Sequence, residues 1–185
     1  MSSKHKPSPM TAPAPSPESN AAHDADTVVV TRFLRAAPAL VYEAWTDPRH
    51  IVHWWRPNGF AQVVCEVMDV QPGGQFRIQM PYEDGTLYTA WGEYLEVVPG
   101  IRIVYNDYCD VRGKTFHSAA VKVDFAAEEE GTRVTLRATF KWVPECDVVF
   151  PRDAALHGWQ QGWHQNIDLL ETYLGQRQDG RWTTL

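Results

Sequence analysis

The residues best suited to chemistry gather around one expected hairpin. Between Phe116 and Phe125 the chain alternates, with His117, Ala119, Val121, Val123 and Phe125 on one face and Ser118, Ala120, Lys122 and Asp124 on the other. His117 therefore stands on the apolar, inward face. In the preceding strand Ile101, Ile103, Tyr105 and Asp107 share a face, and a hairpin through Cys109 to Lys114 brings Asp107 or Tyr105 beside His117. An imidazole oriented by a carboxylate is a general-base arrangement. The plainer alternative is a strand-end histidine satisfied by one neighbouring hydrogen bond. Glu93 is a further candidate acid. Leu95 and Val97 imply that Trp91 and Glu93 also face inward, where an apolar pocket would raise the carboxyl pKa, unless a bulge at Gly92 changes the phase.

Eight tryptophans in one domain exceed what packing requires, and their indoles offer stacking surfaces and N–H donors to an aromatic or amphipathic ligand. Trp142 continues an inward series through Val134, Leu136, Ala138 and Phe140. Trp159 and Trp163 share the apolar stripe of the last helix, while Phe76 and Ile78 alternate with outward Gln75, Arg77 and Gln79. Trp54, Trp55 and Phe60 fall on a short helix and the loop after it, as candidates for a gate or as a hydrophobic anchor for that loop. The ligand-lining set is thus Trp54, Trp55, Phe76, Ile78, Trp91, Tyr105, His117, Trp142, Trp159 and Trp163.

Other chemistries find less support. His50 and His53 are three apart, but no cysteine or third histidine lies near them in sequence, and zinc needs three or four ligands. No metal and no cofactor is expected. Cys65, in phase with Val63 and Val67, reads as a small buried hydrophobe, and no cysteine has a neighbouring base. There is no G-x-S-x-G elbow, no G-x-x-x-x-G-K-[ST] phosphate loop and no G-x-G-x-x-G. His157 and His164 fall on the outer stripe of the last helix with Gln160, Gln161 and Asp168.

The elements that position these residues follow from pattern and punctuation. Residues 1–26 hold five prolines, many Ser and Ala and no aromatic residue, the composition of a disordered tail. A strand begins at Thr27. Pro38 opens a helix carrying Leu40, Val41, Ala44 and Trp45 that Asp47-Pro48 interrupts, and a second helical turn is expected over Ile51 to Trp55. Turn signals at Pro72-Gly73-Gly74, Glu83-Asp84-Gly85, Pro99-Gly100, Arg112-Gly113-Lys114 and Glu130-Gly131 divide the next hundred or so residues into a meander of about six strands. After Pro151, Leu156, Trp159, Trp163, Ile167, Leu170 and Leu174 recur at helical spacing, with Gly175 as the expected cap. The expected domain spans 27–175, with a C-terminal tail over 176–185. This order predicts an α+β fold: a curved antiparallel sheet of about six or seven strands wrapped around one long helix, with a cavity between the layers.

Composition agrees with one such domain. The 185 residues are 44% hydrophobic, enough for a large core without staples. Seventeen basic against 23 acidic residues disfavour a nucleic-acid partner, which would need clustered Lys and Arg. Three scattered cysteines, the absence of a signal-peptide pattern and the absence of a long apolar run predict a soluble, cytoplasmic protein. A homodimer through an exposed strand or the long helix is left open.

These residues resemble the START-like or SRPBCC helix-grip proteins, in the branch similar to the C-terminal domain of the activator of Hsp90 ATPase. The resemblance covers about 27–175. It rests on Ala37-Pro38 before Val41-Tyr42-Glu43-Ala44-Trp45-Thr46-Asp47-Pro48, on Trp54-Trp55, and on Asp69 to Phe76. Gly92 to Pro99, Gly131 to Leu136 and Gly158-Trp159 extend it. The resemblance implies a helix-grip fold with a deep hydrophobic pocket under the long helix, used in different members for lipids, polyketides, hormones or other small molecules. It carries over no catalytic residue. The leading expectation is binding of a small hydrophobic or aromatic molecule. The alternatives are a cofactor-free cyclase, dehydratase or hydrolase using His117 with Asp107 or Glu93, and a chaperone-interaction module.

Overall fold

The computed structural model describes residues 26–60, 62–143 and 151–178. The expected N-terminal tail, apart from Asp26, lies outside the described residues, as do Cys146 and residues 179–185. Strand β1 (Thr27–Leu34) leads into helix α1 (Pro38–Thr46) and the single turn α2 (Pro48–Ile51). Strands β2 (Val64–Met68), β3 (Gln75–Pro81), β4 (Leu87–Val98), β5 (Arg102–Val111), β6 (Lys114–Glu128) and β7 (Gly131–Trp142) follow, and helix α3 (Arg152–Gln178) ends the described chain. The strands form one antiparallel sheet in the order β1-β7-β6-β5-β4-β3-β2, so β2 to β7 are a meander and β1 returns to pair with β7. This is the expected α+β architecture, with seven strands, two short helices after the first and one long C-terminal helix.

The helices start and stop for local reasons. The expected turn over Ile51 to Trp55 begins earlier, at Pro48, because the Asp47 carboxylate accepts a hydrogen bond from the Arg49 amide at 2.8 Å and Pro48 fills a first-turn position that needs no N–H. Pro48 also leaves the Ala44 carbonyl of α1 without its donor four residues on. The Trp54 indole supplies one instead, with Nε1–H donating to that oxygen at 2.8 Å. Helix α3 continues to Gln178 rather than stopping at Gly175, which does not adopt the left-handed conformation of a glycine cap.

Of the expected stripe helix α3 buries Trp163, Ile167, Leu170 and Leu174 and leaves Leu156 and Trp159 half-buried, and it exposes His157, His164, Asp168 and Glu171. Asn166 and Tyr173 join the buried face. Arg32 of β1 holds the helix against the sheet, pairing with Glu171 at 2.6 Å and with Asp168. The core is closed by fully buried residues such as Val41, Ile78, Leu136 and Leu170, each contributing about 1.5–3 kcal/mol. Among the described residues no helix is long and apolar enough to cross a membrane.

Candidate functional site

Three features of the β5–β6 hairpin place its polar groups. Strand β5 keeps strict alternation, burying Ile103, Tyr105, Asp107, Cys109 and Val111. Arg112 and Gly113 then make a two-residue turn with φ of 51° and 75°, the left-handed pair that a tight hairpin requires, and this fixes Val111 opposite Lys114. Cys109 pairs with His117 but Asp110 pairs with Thr115, so Phe116 is an extra residue in β6. That bulge lets the consecutive residues Phe116 and His117 both be buried.

His117 Nε2 consequently lies 3.9 Å from Asp107 Oδ2, an ion-pair separation too long for a hydrogen bond. Among the described residues, Asp107 Oδ1 and both ring nitrogens of His117 are buried without a hydrogen-bond partner. Asn166 of α3 adds a third such group, its Oδ1. The three side chains belong to residues only 4%, 4% and 5% exposed. Unpartnered polar atoms at such depth each cost about 1–3 kcal/mol.

All three residues line one cavity of about 430 Å³ between the sheet and α3. Its walls are mainly apolar and rich in aromatic side chains, with Trp55, Phe60, Tyr88, Phe116, Trp159 and Trp163 among them. The loop at Pro57-Asn58 forms part of the rim and is tied to α3 by the Asn58 amide, which donates to Gln165 Oε1 at 2.9 Å. Among the described residues no lysine or arginine lines this space. Burial pushes the Asp107 carboxyl above the usual carboxylate range, and nearby His117 only partly offsets this. The buried Cys109 thiol is driven well up by desolvation and then by Asp107 and Asp110, and the Tyr105 hydroxyl is likewise raised by burial and Asp107. Neither is primed as a nucleophile.

Of the residues singled out from sequence, the cavity brings together Trp55, Asp107, His117, Trp159 and Trp163. Phe76, Ile78 and Tyr105 line a separate void of about 10 Å³, near the lower limit for a single water, with Trp55 bordering both spaces. Trp54 is wholly buried behind the rim, where its indole completes α1, while Phe60 does line the cavity. Trp142 pairs with His117 across β6–β7 but packs half-buried on Phe140, outside the cavity lining.

Glu93 and Trp91 require correction. Glu93 is exposed opposite Asn106, and Trp91 stacks on Tyr108 with ring centroids 4.4 Å apart, away from the cavity. The expected phase extends back from Leu95 and Val97, but the register shifts between Tyr94 and Glu96, leaving Leu95 as the extra residue and 50% exposed. The inward series is Ala90, Gly92 and Tyr94. Cys65 is also only half-buried, because a register shift between Cys65 and Val67 breaks its phase, and burial still pushes its thiol up to about 11.

Sequence reasoning missed Asn166, although its spacing from Trp163 and Leu170, three and four residues, marks the inner stripe of α3. It also missed Phe116, which simple alternation puts on the opposite face from His117. A different cluster brings Glu43, Asp47 and His50 together, with potential ligand atoms within 4.8 Å of one another. Arg49 already binds the Asp47 carboxylate, Arg177 lies 3.8 Å from Glu43, and His50 Nδ1 is 2.6 Å from the Tyr173 hydroxyl. These contacts form an ion-pair network around α2. His53 stacks on Tyr173, with ring centroids 5.1 Å apart.

A curved antiparallel sheet gripping one long C-terminal helix over an aromatic cavity defines a helix-grip domain of the SRPBCC type. The chain belongs to the activator of Hsp90 ATPase homolog 1-like protein family, whose model matches residues 35–175. Domains of this fold family commonly bind ligands. A protein from Chromobacterium violaceum is similar at 26% identity and a TM-score of 0.66, over 80% of this chain and 96% of that one. An uncharacterized protein from Rhizobium leguminosarum matches at 27% identity and a TM-score of 0.66, over 81% and 94% of the two chains. A protein from Arthrobacter aurescens shares the fold at a TM-score of 0.71 and 20% identity, over 83% and 88%. No curated protein matches the chain.

Proposed function

We propose that this protein binds a small hydrophobic or aromatic molecule in the cavity between its sheet and α3. One observation carries the reading: three deeply buried polar side chains with unpartnered atoms, Asp107, His117 and Asn166, line a single aromatic-walled cavity. Buried polar groups are ordinarily paired, and although Trp45, Trp91 and Tyr105 also carry unpartnered buried atoms, only Asp107, His117 and Asn166 among the described residues bring theirs to the wall of this cavity. A cavity of this size, apolar with a few polar groups, has the make-up of a small-molecule site.

The experiment is a comparison of native and denaturing mass spectra of the freshly purified full chain, before and after incubation with a panel of apolar compounds. Binding predicts an added mass in the native spectrum that disappears on denaturation. A chain that stays unliganded with every compound, and whose melting temperature none of them moves, would contradict the reading.

A second reading is a cofactor-free cyclase, dehydratase or hydrolase, and the His117–Asp107 pair favours it. There the imidazole takes a proton from a bound carbonyl compound while Asp107 stabilises the imidazolium. Its mark is turnover lost in His117→Ala with the fold intact.

A further inference from the structure

The wall chemistry of this cavity restricts what charge its occupant carries. Asp107 Oδ1 and Asn166 Oδ1 are unfilled acceptors, and both ring nitrogens of His117 also lack a hydrogen-bond partner. Among the described residues the lining contains a carboxyl group and no Lys or Arg to balance a second one. A carboxylate ligand would meet Asp107 as a like charge in a poorly solvated space, and would leave the amide and carboxyl oxygens unfilled. An ammonium group inverts each of these terms: it brings several donors, neutralises Asp107, and enters a space lined by Trp55, Trp159 and Trp163, a residue type whose ring attracts cations.

Resting on the ligand-binding reading above, we infer that the cavity selects an amine carried on an aromatic or alicyclic scaffold and discriminates against the corresponding carboxylic acid. Asp107 is the counter-ion. His117 Nε2, 3.9 Å from Asp107 Oδ2, stands where one ammonium can donate to both groups, with Asn166 as a further acceptor. The aromatic wall holds the scaffold and strengthens the ion pair by excluding water.

The test is calorimetric titration of the full chain with three probes that share one ring system, naphthylethylamine, naphthylethanol and naphthylacetate. Naphthylethylamine is expected to bind at least about tenfold more tightly than naphthylacetate, the low end of what a desolvated charge pair is worth. In Asp107→Asn the amine is expected to lose its advantage over the alcohol. Equal or tighter binding of the acetate to the wild-type protein overturns the inference and leaves the ligand-binding reading standing. An amine preference that persists in Asp107→Asn, with its fold verified by near-ultraviolet circular dichroism, also overturns it. Failure of all three probes to bind counts against the ligand-binding reading itself and takes this inference with it.

Discussion

Asp107 and His117 occupy diagonal positions on neighbouring strands: Asp107 lies opposite Ala119, His117 opposite Cys109, and Nε2 and Oδ2 are 3.9 Å apart. The separation is too long for a direct hydrogen bond and short enough for one ligand atom to serve both groups. The hairpin turn sets this pairing and the bulge at Phe116 completes it.

The first prediction concerns His117. Its ring packs on Phe140 with centroids 5.1 Å apart, while its nitrogens have no hydrogen-bond partner among the described residues. In an Asp107→Asn background, where no buried carboxylate depends on the imidazole, His117→Phe keeps the ring and removes the unsatisfied atoms, so the protein without ligand should gain roughly 1 kcal/mol in urea unfolding. A loss of stability of that size would mean that the nitrogens are satisfied in solution.

Trp54→Phe tests how α1 is closed. Aromatic volume is largely retained, but the Ala44 carbonyl, whose usual donor position is occupied by Pro48, loses the indole N–H. Unfolding free energy should fall by about 1–3 kcal/mol. A neutral substitution would show that water replaces the bond.

Gly92→Ala should be far more damaging. A Cβ there would stand 1.9 Å from the Asn106 carbonyl oxygen and 2.6 Å from the Phe76 ring, so β4 and β5 must separate. The cost should exceed about 3 kcal/mol, visible as a melting temperature lowered by several degrees or as insoluble expression.

Acid stability should depend on Asp47. Arg49 beside it, through side-chain and then backbone hydrogen bonds, holds its carboxyl down at about 2, against an ordinary 3.8. A depressed carboxyl contributes stability that is fully present above the unfolded value and is lost as pH falls through the folded one. The window is therefore about pH 4 down to about pH 2. Because Arg49 is largely exposed, solvent screening reduces the contribution to about 1 kcal/mol. In Asp47→Ala the stability curve should be flatter by that amount across this window, measured by urea unfolding.

Most of the scaffold is legible in the sequence because turns and periods are local. Arg112-Gly113 announces the hairpin, and the alternation of Ile103, Tyr105 and Asp107 is enough to turn the carboxylate inward. His117 follows from the same rule. What period alone does not reveal is a change of phase: the extra residues Leu95 and Phe116 reverse which neighbours face inward, removing Glu93 and Trp91 from the cavity and adding Phe116 to it. Nor does composition separate a cavity wall from a core. Phe76 and Ile78 are as apolar as the residues around the large space, yet they border a void too small for a ligand, with Trp55 lining both spaces.

The most direct measurement of the central claim is a titration with the neutral dye N-phenylnaphthylamine, followed by its emission, on the wild-type chain and on Ala155→Phe. Ala155 lines the cavity one turn before Trp159, so a phenyl ring there occupies the space a ligand would take. Binding in the cavity predicts a saturable rise in dye emission for the wild type and its loss in Ala155→Phe at an unchanged melting temperature. The same saturable rise in both proteins, or none in the wild type, would contradict it.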